Sequence, residues 1–231
     1  MTIVVITGAN RGLGLALAQQ HAEAGATVIG GCRNPTAAIE LSRTGAEVHP
    51  LDTGSSDSIA AFAKAIGDRP VDVLYNNAGI DARAVGAEDG ARGALDLTEQ
   101  QFRSVLDVNV LGPWLMVKAL ADNLRAAGGK VVNVSSQVGS IEVAQNTGRD
   151  ISYTTSKAAL NMVTLKESQV LRSQGVTVIS LHPGWIRSDM GGPSATLDPS
   201  MSAASITKLV DGLSIEQTGS FLQWDGSIHP W

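Results

Sequence analysis

Cysteine and long apolar runs are scarce in this chain. Its 231 residues include one cysteine, Cys32, which excludes an intramolecular disulfide and is interpreted as a small buried strand residue. No apolar run approaches the ~20 residues that a membrane span needs. The first residues lack the basic region and cleavage site of a signal peptide. These absences predict a cytoplasmic protein with no membrane partner.

Basic and aromatic residues are also few. Lysine and arginine number 17 against 22 acidic residues, the net charge is −5, and no basic stripe is visible, which excludes nucleic acid as an expected partner. Histidines such as His21, His49 and His229 are scattered with no ligand spacing, so no metal site is predicted. Hydrophobic residues make up 43% of the chain, enough for a sizeable core.

Short apolar runs alternate with segments of helical periodicity along the whole chain. The pattern predicts strands over residues 3–6, 27–32, 47–51, 71–75, 130–134, 176–181 and 221–224, and helices over 13–24, 58–66, 99–126, 152–172 and 202–210. Thr98 is the expected N-cap of the third helix, with Gln101 completing a capping box. We therefore expect one α/β domain over residues 1–231, Rossmann-type and doubly wound, with about seven parallel strands and helices on both faces.

A glycine-rich loop separates the first strand from the first helix. Gly8, Gly12 and Gly14 allow a tight turn there, and their missing side chains let backbone N–H groups approach a pyrophosphate at the helix N-terminus. Such a loop is often only a turn when it stands alone. Its place at the carboxyl end of a strand, where ligands of such sheets bind, favours a dinucleotide site.

Tyr153 and Lys157 are four residues apart on a predicted helix, so they share one face. A lysine ammonium near a phenol stabilises the phenolate, which lets the tyrosine act as an acid or base below its usual pKa of about 10. The spacing alone is weakly specific, and core packing is the competing interpretation of a helical tyrosine. The chain's other tyrosine, Tyr75, lies on a predicted strand, where core packing is the preferred interpretation.

Four elements together, in this order, resemble the short-chain dehydrogenase/reductase family. They are the segment Thr7-Gly8-Ala9-Asn10-Arg11-Gly12-Leu13-Gly14, the turn Asn76-Asn77-Ala78-Gly79, the pair Ser135-Ser136, and Tyr153 with Lys157. The resemblance implies reversible hydride transfer between a nicotinamide and a carbonyl or alcohol. It implies that Tyr153 exchanges the proton, that Lys157 assists it and holds the nicotinamide ribose, and that Ser136, rather than Ser135, bonds the substrate oxygen. Asn109 would hold a water that links the lysine to solvent, unless its amide is satisfied within its own helix.

The resemblance also implies the cofactor contacts. Asp52 and Thr53 would contact the adenine, although Asp52 is also a plausible turn or capping residue. Asn77 would run beside the adenosine and tie neighbouring strands together. The full set is Gly8, Asn10, Arg11, Gly12, Leu13, Gly14, Arg33, Asp52, Thr53, Asn77, Ala78, Gly79, Tyr153, Lys157, Pro183, Gly184, Ile186 and Ser188.

The end of the second strand indicates which cofactor binds. An acidic residue there would bond the ribose 2′-hydroxyl and repel a 2′-phosphate, but the chain has Gly31-Cys32-Arg33-Asn34. Arg33 offers a permanently charged fork suited to phosphate, and Arg11 is placed to reach the same group. Unless both are solvated surface charges, they predict NADP(H).

The run from His182 to Gly192 and the ending Trp224-Asp225-Gly226 resemble a subgroup that includes C-signal-like proteins and small NADPH-dependent carbonyl reductases. This implies an NADP(H)-dependent carbonyl reductase or alcohol dehydrogenase acting on a ketone, aldehyde or secondary alcohol. One alternative is a cofactor-binding signalling protein. Another is an epimerase or dehydratase of the larger family, although those chains usually carry a longer C-terminal substrate domain.

Two further expectations concern loops and assembly. The loops 82–93, 144–150 and 191–199 are expected to line the substrate pocket, and the middle one contains the residues that lengthen the interval between Ser136 and Tyr153. Family members commonly dimerise through the helices predicted here over 99–126 and 152–172. The resemblance therefore implies a homodimer or another homo-oligomer.

Overall fold

The computed structural model describes residues 2–145 and 150–231 and contains one parallel sheet. Its strands have the order β3-β2-β1-β4-β5-β6-β7, and every neighbouring pair is parallel. The chain therefore winds outward in both directions from β1 and β4, which confirms the predicted doubly wound α/β fold. The strands are β1 (Ile3–Thr7), β2 (Thr27–Cys32), β3 (Glu47–Pro50), β4 (Val73–Asn76), β5 (Lys130–Val134), β6 (Thr177–His182) and β7 (Phe221–Gln223).

Helices cover both faces of this sheet. Two of them, α2 and α7, were not predicted because five and four residues carry too little periodicity to stand out. Another, α9, begins three residues before the predicted start, since Asp198 caps it and Pro199 suits a first helical turn. The helices are α1 (Gly12–Glu23), α2 (Ile39–Arg43), α3 (Ser56–Ile66), α4 (Glu99–Leu106), α5 (Gly112–Ala119), α6 (Ala121–Ala127), α7 (Ile141–Ala144), α8 (Ile151–Leu171) and α9 (Pro199–Asp211).

Two hydrophobic cores lie on opposite faces of the sheet. Alternate residues of β1 supply both, because successive strand side chains point to opposite sides. Val4 and Ile6 pack with residues of α1 and α9, whereas Val5 packs with residues of α3, α5 and α6. Cys32 and Tyr75 are buried, as the sequence predicted.

The single helix predicted over residues 99–126 is wrong. A π-helical turn, Asp107–Leu111, separates α4 from α5, and Pro113 follows it. Because Pro113 has no N–H, it cannot donate to the carbonyl of Asn109, where an α-helix would need that bond. A second break at Leu120, whose backbone leaves the helical region, bends α6 by 60°. The capping box of Thr98 and Gln101 is confirmed at the start of α4.

Within residues 2–145 and 150–231, no single helix is long and apolar enough to cross a bilayer, and one bent pair, Glu99–Ala119 with Ala121–Ala127, meets the length and composition criteria together.

Candidate active site

A cleft of about 1510 Å³ opens at the carboxyl ends of the central strands. This exceeds the ~300–1,000 Å³ of a typical small-ligand pocket, so the cleft has room for a dinucleotide and a substrate together. Of the predicted site residues, only Gly14 and Asn109 do not line it. Those that do are Gly8, Asn10, Arg11, Gly12, Leu13, Arg33, Asp52, Thr53, Asn77, Ala78, Gly79, Ser136, Tyr153, Lys157, Pro183, Gly184, Ile186 and Ser188.

The glycine loop has the shape that a phosphate-binding turn requires. Gly8 and Gly12 adopt positive φ angles of 66° and 53°, which side chains rarely tolerate. A Cβ placed on Gly14 would lie 2.3 Å from the carbonyl oxygen of Gly8, so only glycine lets the first turn of α1 close against the loop. The residues present therefore fit a dinucleotide pyrophosphate at the N-terminus of α1.

Asn77 and Thr7 tie the glycine loop to the end of β4. The side-chain amide of Asn77 donates to the carbonyls of Thr7 at 2.9 Å and Gly8 at 3.2 Å. In return the Thr7 hydroxyl accepts from the backbone N–H groups of Asn77 at 3.0 Å and Ala78 at 2.9 Å. The strand-tying role predicted for Asn77 is thus present, since these bonds join the end of β1 to the end of β4.

Two arginines line the cleft, and one of them, Arg33, directly follows β2 at one end of it. Arg33 is exposed there, and Arg11 forms an exposed ion pair with Asp189 across the cleft mouth. Asp52 lines the same end, and its Oδ1 accepts from the N–H of Gly54 at 2.9 Å, so it also has the turn role considered as an alternative. No acidic side chain follows β2 to oppose a 2′-phosphate.

Lys157 is buried at the other end of the cleft, beside Tyr153. Its Nζ donates to the carbonyl of Val134 at 2.8 Å and lies 5.6 Å from the centre of the Tyr153 ring. Burial lowers the pKa of Lys157 to about 8, so the ammonium still predominates at pH 7. This cation near the phenol is the arrangement that the Tyr-Lys spacing predicted.

Asn109 lies behind the cleft wall on the π-helical turn, and its side chain is fully buried. Its Oδ1 accepts from the N–H of Ile80 at 2.9 Å, while its amide donates to the carbonyl of Ile80 and to the hydroxyl of Ser156. The amide is therefore satisfied by two other segments rather than within its own helix. π-Helical turns often occur at functional sites, which agrees with this placement.

Asp150 positions the start of α8, a role that the sequence analysis missed. Its Oδ1 accepts from the N–H of Tyr153 at 3.1 Å and from the hydroxyl of Ser152, and its Oδ2 accepts from the N–H of Ala82. The carboxylate thus caps the helix and joins it to the loop after β4. An aspartate shortly before a helical segment is a capping signal that could have revealed it.

The two serines after β5 have different surroundings. Ser136 lines the cleft, and its hydroxyl accepts from the N–H of Val138 at 3.4 Å. Ser135 is buried, and its hydroxyl donates to the carbonyl of Lys157 at 3.4 Å. Both serines line the cleft, but Ser135 is 2% exposed whereas Ser136 is partly exposed, and this difference agrees with the preference for Ser136.

Charged side chains that no motif indicated line the cleft at the loop that follows β4. Arg83 bonds Asp81 and donates to the carbonyl of Met190 at 2.9 Å, and Arg92 lies 3.6 Å from the same Asp81. The Asp81–Arg83 contact is local, whereas loop folding brings Arg92 and the carbonyl of Met190 to it, and the sequence carries no signal for those two contacts. Within the loop predicted over 144–150, residues 146–149 lie outside the described part of the chain.

Comparison with known proteins identifies the family to which the chain belongs. The family model described as short chain dehydrogenase matches residues 2–197. C-signal of Myxococcus xanthus is 39% identical over 174 residues, covering 74% of this chain and 99% of that protein. The 1-hydroxy-2-glutathionyl-2-methyl-3-butene dehydrogenase of a Rhodococcus species is 33% identical over the full length of both chains.

Solved structures agree with these relatives. The NADPH-bound carbonyl reductase from chicken fatty liver superposes with a TM-score of 0.90 at 30% identity, and the carbonyl reductase Sniffer of D. melanogaster with 0.87 at 32%, each over the full length of both chains. The matched model spans the glycine loop, the tyrosine and the lysine. The family resemblance is confirmed: the chain belongs to the short-chain dehydrogenase/reductase family.

Proposed function

We propose that this protein is an NADP(H)-dependent oxidoreductase that interconverts a ketone or aldehyde and the corresponding alcohol. The observation that carries the proposal is that one cleft contains Tyr153, the buried Lys157 and the glycine loop of α1. The carbonyl reductases of chicken and D. melanogaster, one described with bound NADPH, support the same reading.

The chemistry divides between cofactor and protein. A nicotinamide bound in the cleft would supply or accept the hydride. In reduction, Tyr153 gives its proton to the carbonyl oxygen, and in oxidation it takes the proton back. The Lys157 ammonium stabilises the phenolate that remains, because opposite charges favour each other's ionised form.

Ser136 and Asn109 have supporting roles. The Ser136 hydroxyl faces the cleft, where it can donate to the substrate oxygen and so polarise the carbonyl. Asn109 borders the lysine: a Cβ placed on Gly79 would lie 3.4 Å from Asn109 Oδ1 and 3.5 Å from Lys157 Nζ. That closeness supports a role for Asn109 in the proton path from Lys157.

The cofactor preference rests on charge at the adenosine end. Arg33 and Arg11 are within the cleft lining, and charge-assisted hydrogen bonds to a 2′-phosphate are worth ~1.5–3 kcal/mol each. Arg11 must leave Asp189 to reach such a phosphate. Exposed ion pairs of this kind contribute at most ~1 kcal/mol, so the exchange favours the phosphate.

Assembly and location complete the proposal. We propose a homodimer through α5 and α8, since a groove of about 420 Å³ between these helices is apolar and carries the exposed side chains of Trp114, Met162 and Val170. A single domain over residues 1–231 and a cytoplasmic location are also part of the proposal.

Turnover tests the function directly. The purified protein should oxidise NADPH in the presence of some members of a panel of ketones and aldehydes, and do so faster than NADH at equal concentration. The relative C-signal makes a signalling protein the second candidate. Binding of NADPH without turnover across a broad panel would contradict the enzyme proposal and favour that candidate.

A further inference from the structure

The segment of residues 221–231, here called the C-terminal segment, folds back along the end of β6. Its first part is β7, which pairs with β6 up to His182. The chain then turns at Gly226 and returns antiparallel, so that Ile228 bridges to Leu222 and the N–H of His229 donates to the carbonyl of Phe221 at 2.8 Å. The segment therefore lies directly behind Pro183 and Gly184.

Trp224 packs closely against Gly184. A Cβ placed on Gly184 would lie 3.0 Å from Cδ1 of Trp224 and 2.6 Å from Cδ2 of Leu197. Gly184 has a φ angle of 86°, a conformation that glycine leaves easily when nothing holds it. The indole and Leu197 together are the side chains that confine this glycine within the cleft wall.

The same segment also holds the opposite wall. The backbone carbonyl of Trp231 accepts from the hydroxyl of Ser140 at 3.0 Å, and Ser140 is fully buried. Ser140 closes the short helical turn that begins at Ser136. Aromatic packing fixes the segment, since the Phe221 ring lies 5.4 Å from the Trp231 ring and 4.7 Å from that of His229.

We propose that the C-terminal segment positions both walls of the nicotinamide end of the cleft. Trp224 backs Gly184 on one wall, and Trp231 anchors the turn after Ser136 on the other. Both are positioning residues, because they act through Gly184 and Ser140 rather than on the reacting atoms. The inference rests on the proposed function, which places the nicotinamide beside Gly184.

The expected effect is loss of alignment at one end of the cofactor only. A displacement of about 1 Å at a reacting centre can cost ~10²-fold in rate. The adenosine end is built from α1, β2 and β4, and neither of these strands pairs with β6 or β7, although Trp224 packs against the same core as α1. Removing the Trp224 ring should therefore weaken binding of the nicotinamide half and leave binding of the phosphate half unchanged.

Trp224→Ala tests this separation with two ligands. The affinity of NADPH should fall by about tenfold and kcat by about tenfold or more. The affinity of 2′,5′-ADP, which lacks the nicotinamide, should stay within about twofold of wild type. Trp224→Phe, which keeps a ring against Gly184, should recover most of both losses. Ile228→Ala is the matched control in the same segment, since its side chain is 82% exposed.

Two results would overturn the proposal: wild-type NADPH affinity and kcat in Trp224→Ala, or equal weakening of NADPH and 2′,5′-ADP. Trp224→Leu replaces the alanine variant if that variant does not fold, with the same expectations. If the wild type prefers NADH, the same two affinities are measured with NADH and with ADP-ribose, which lacks the nicotinamide. If the wild type turns over no ketone, the proposed function fails, whereas the two affinities still decide the role of Trp224.

Discussion

The amide of Asn109 donates a hydrogen bond of 2.9 Å to the hydroxyl of Ser156, the residue that immediately precedes Lys157. The same amide group also holds both backbone polar groups of Ile80. One buried side chain thus joins the π-helical turn, the loop after β4 and α8. We expect this junction to hold Lys157 in position, because Ser156 is its neighbour in the chain.

Asn109→Leu should lower both the stability of the protein and its rate of turnover. The variant leaves the N–H and carbonyl of the half-buried Ile80 without their partner, and each unsatisfied group costs at most the ~1–3 kcal/mol of a fully buried one. Urea denaturation should show a lower midpoint, and NADPH turnover should fall. Asn123→Ala is a control, because Asn123 also bonds backbone carbonyls but lies far from the cleft. The Asn123→Ala variant should leave kcat unchanged. A urea midpoint equal to that of the wild type in Asn109→Leu would contradict the proposed stabilising role of Asn109.

Tyr153→Phe should keep NADPH binding and lose most turnover. The substitution removes the proton donor alone, and general acid–base catalysis is worth ~10²–10⁴-fold. Titration of NADPH fluorescence and steady-state kinetics measure the two effects separately. The chain's other tyrosine supplies the control: Tyr75→Phe loses a buried hydrogen bond to His21 and should lower stability without a comparable loss in kcat. A Tyr153→Phe variant with wild-type kcat would refute the mechanism.

Arg33→Ala should weaken NADPH by roughly ten- to a hundredfold, the value of one charge-assisted hydrogen bond to phosphate. NADH has no 2′-phosphate, so its affinity should hardly change. Isothermal titration calorimetry with each cofactor measures both affinities. Arg43→Ala is the control, since Arg43 is exposed on α2 and pairs with Glu40. Equal losses for both cofactors, or a wild type that prefers NADH, would exclude the proposed role of Arg33.

The sequence predicted those parts of the site that depend on local pattern. The glycines of the loop and the spacing of Tyr153 and Lys157 are readable because backbone conformation and helix periodicity fix their geometry. The break at Leu120 and the Arg92–Asp81 pair could not be predicted, because tertiary packing and loop folding create them. The contact of Trp224 with Gly184 belongs to this second kind, since 40 positions along the chain separate the two residues.

Met162→Glu should convert the proposed dimer to monomers. Met162 is 55% exposed on α8 and lines the apolar groove between α5 and α8. A carboxylate there would lose its hydration if two copies met at this groove, which is costly. Light scattering should give a mass near 23.9 kDa for the variant and twice that for the wild type. A wild type that is monomeric at micromolar concentration would contradict the dimer.

Glu167 should make the protein less stable as the pH rises. Burial raises the pKa of its carboxyl to about 8, and one oxygen, Oε1, has no hydrogen-bond partner among the described residues. The unfolded chain releases this proton near its ordinary pKa of 4.5, whereas the folded protein keeps it until about pH 8. Between these values the folded state binds more protons, so stability falls with a slope that approaches ~1.4 kcal/mol per pH unit.

Glu167→Gln removes this titration and should keep the hydrogen bond from Asn133, since the new amide oxygen can accept it. The variant should therefore match the wild type near pH 4.5 and be more stable at pH 8, as measured by urea midpoints at both values. Glu142→Gln, at an exposed position of α7, should show no such divergence. A Glu167→Gln variant that is equally destabilised at both pH values would contradict the prediction. It would show that the side chain contributes to stability through packing and not through its titration.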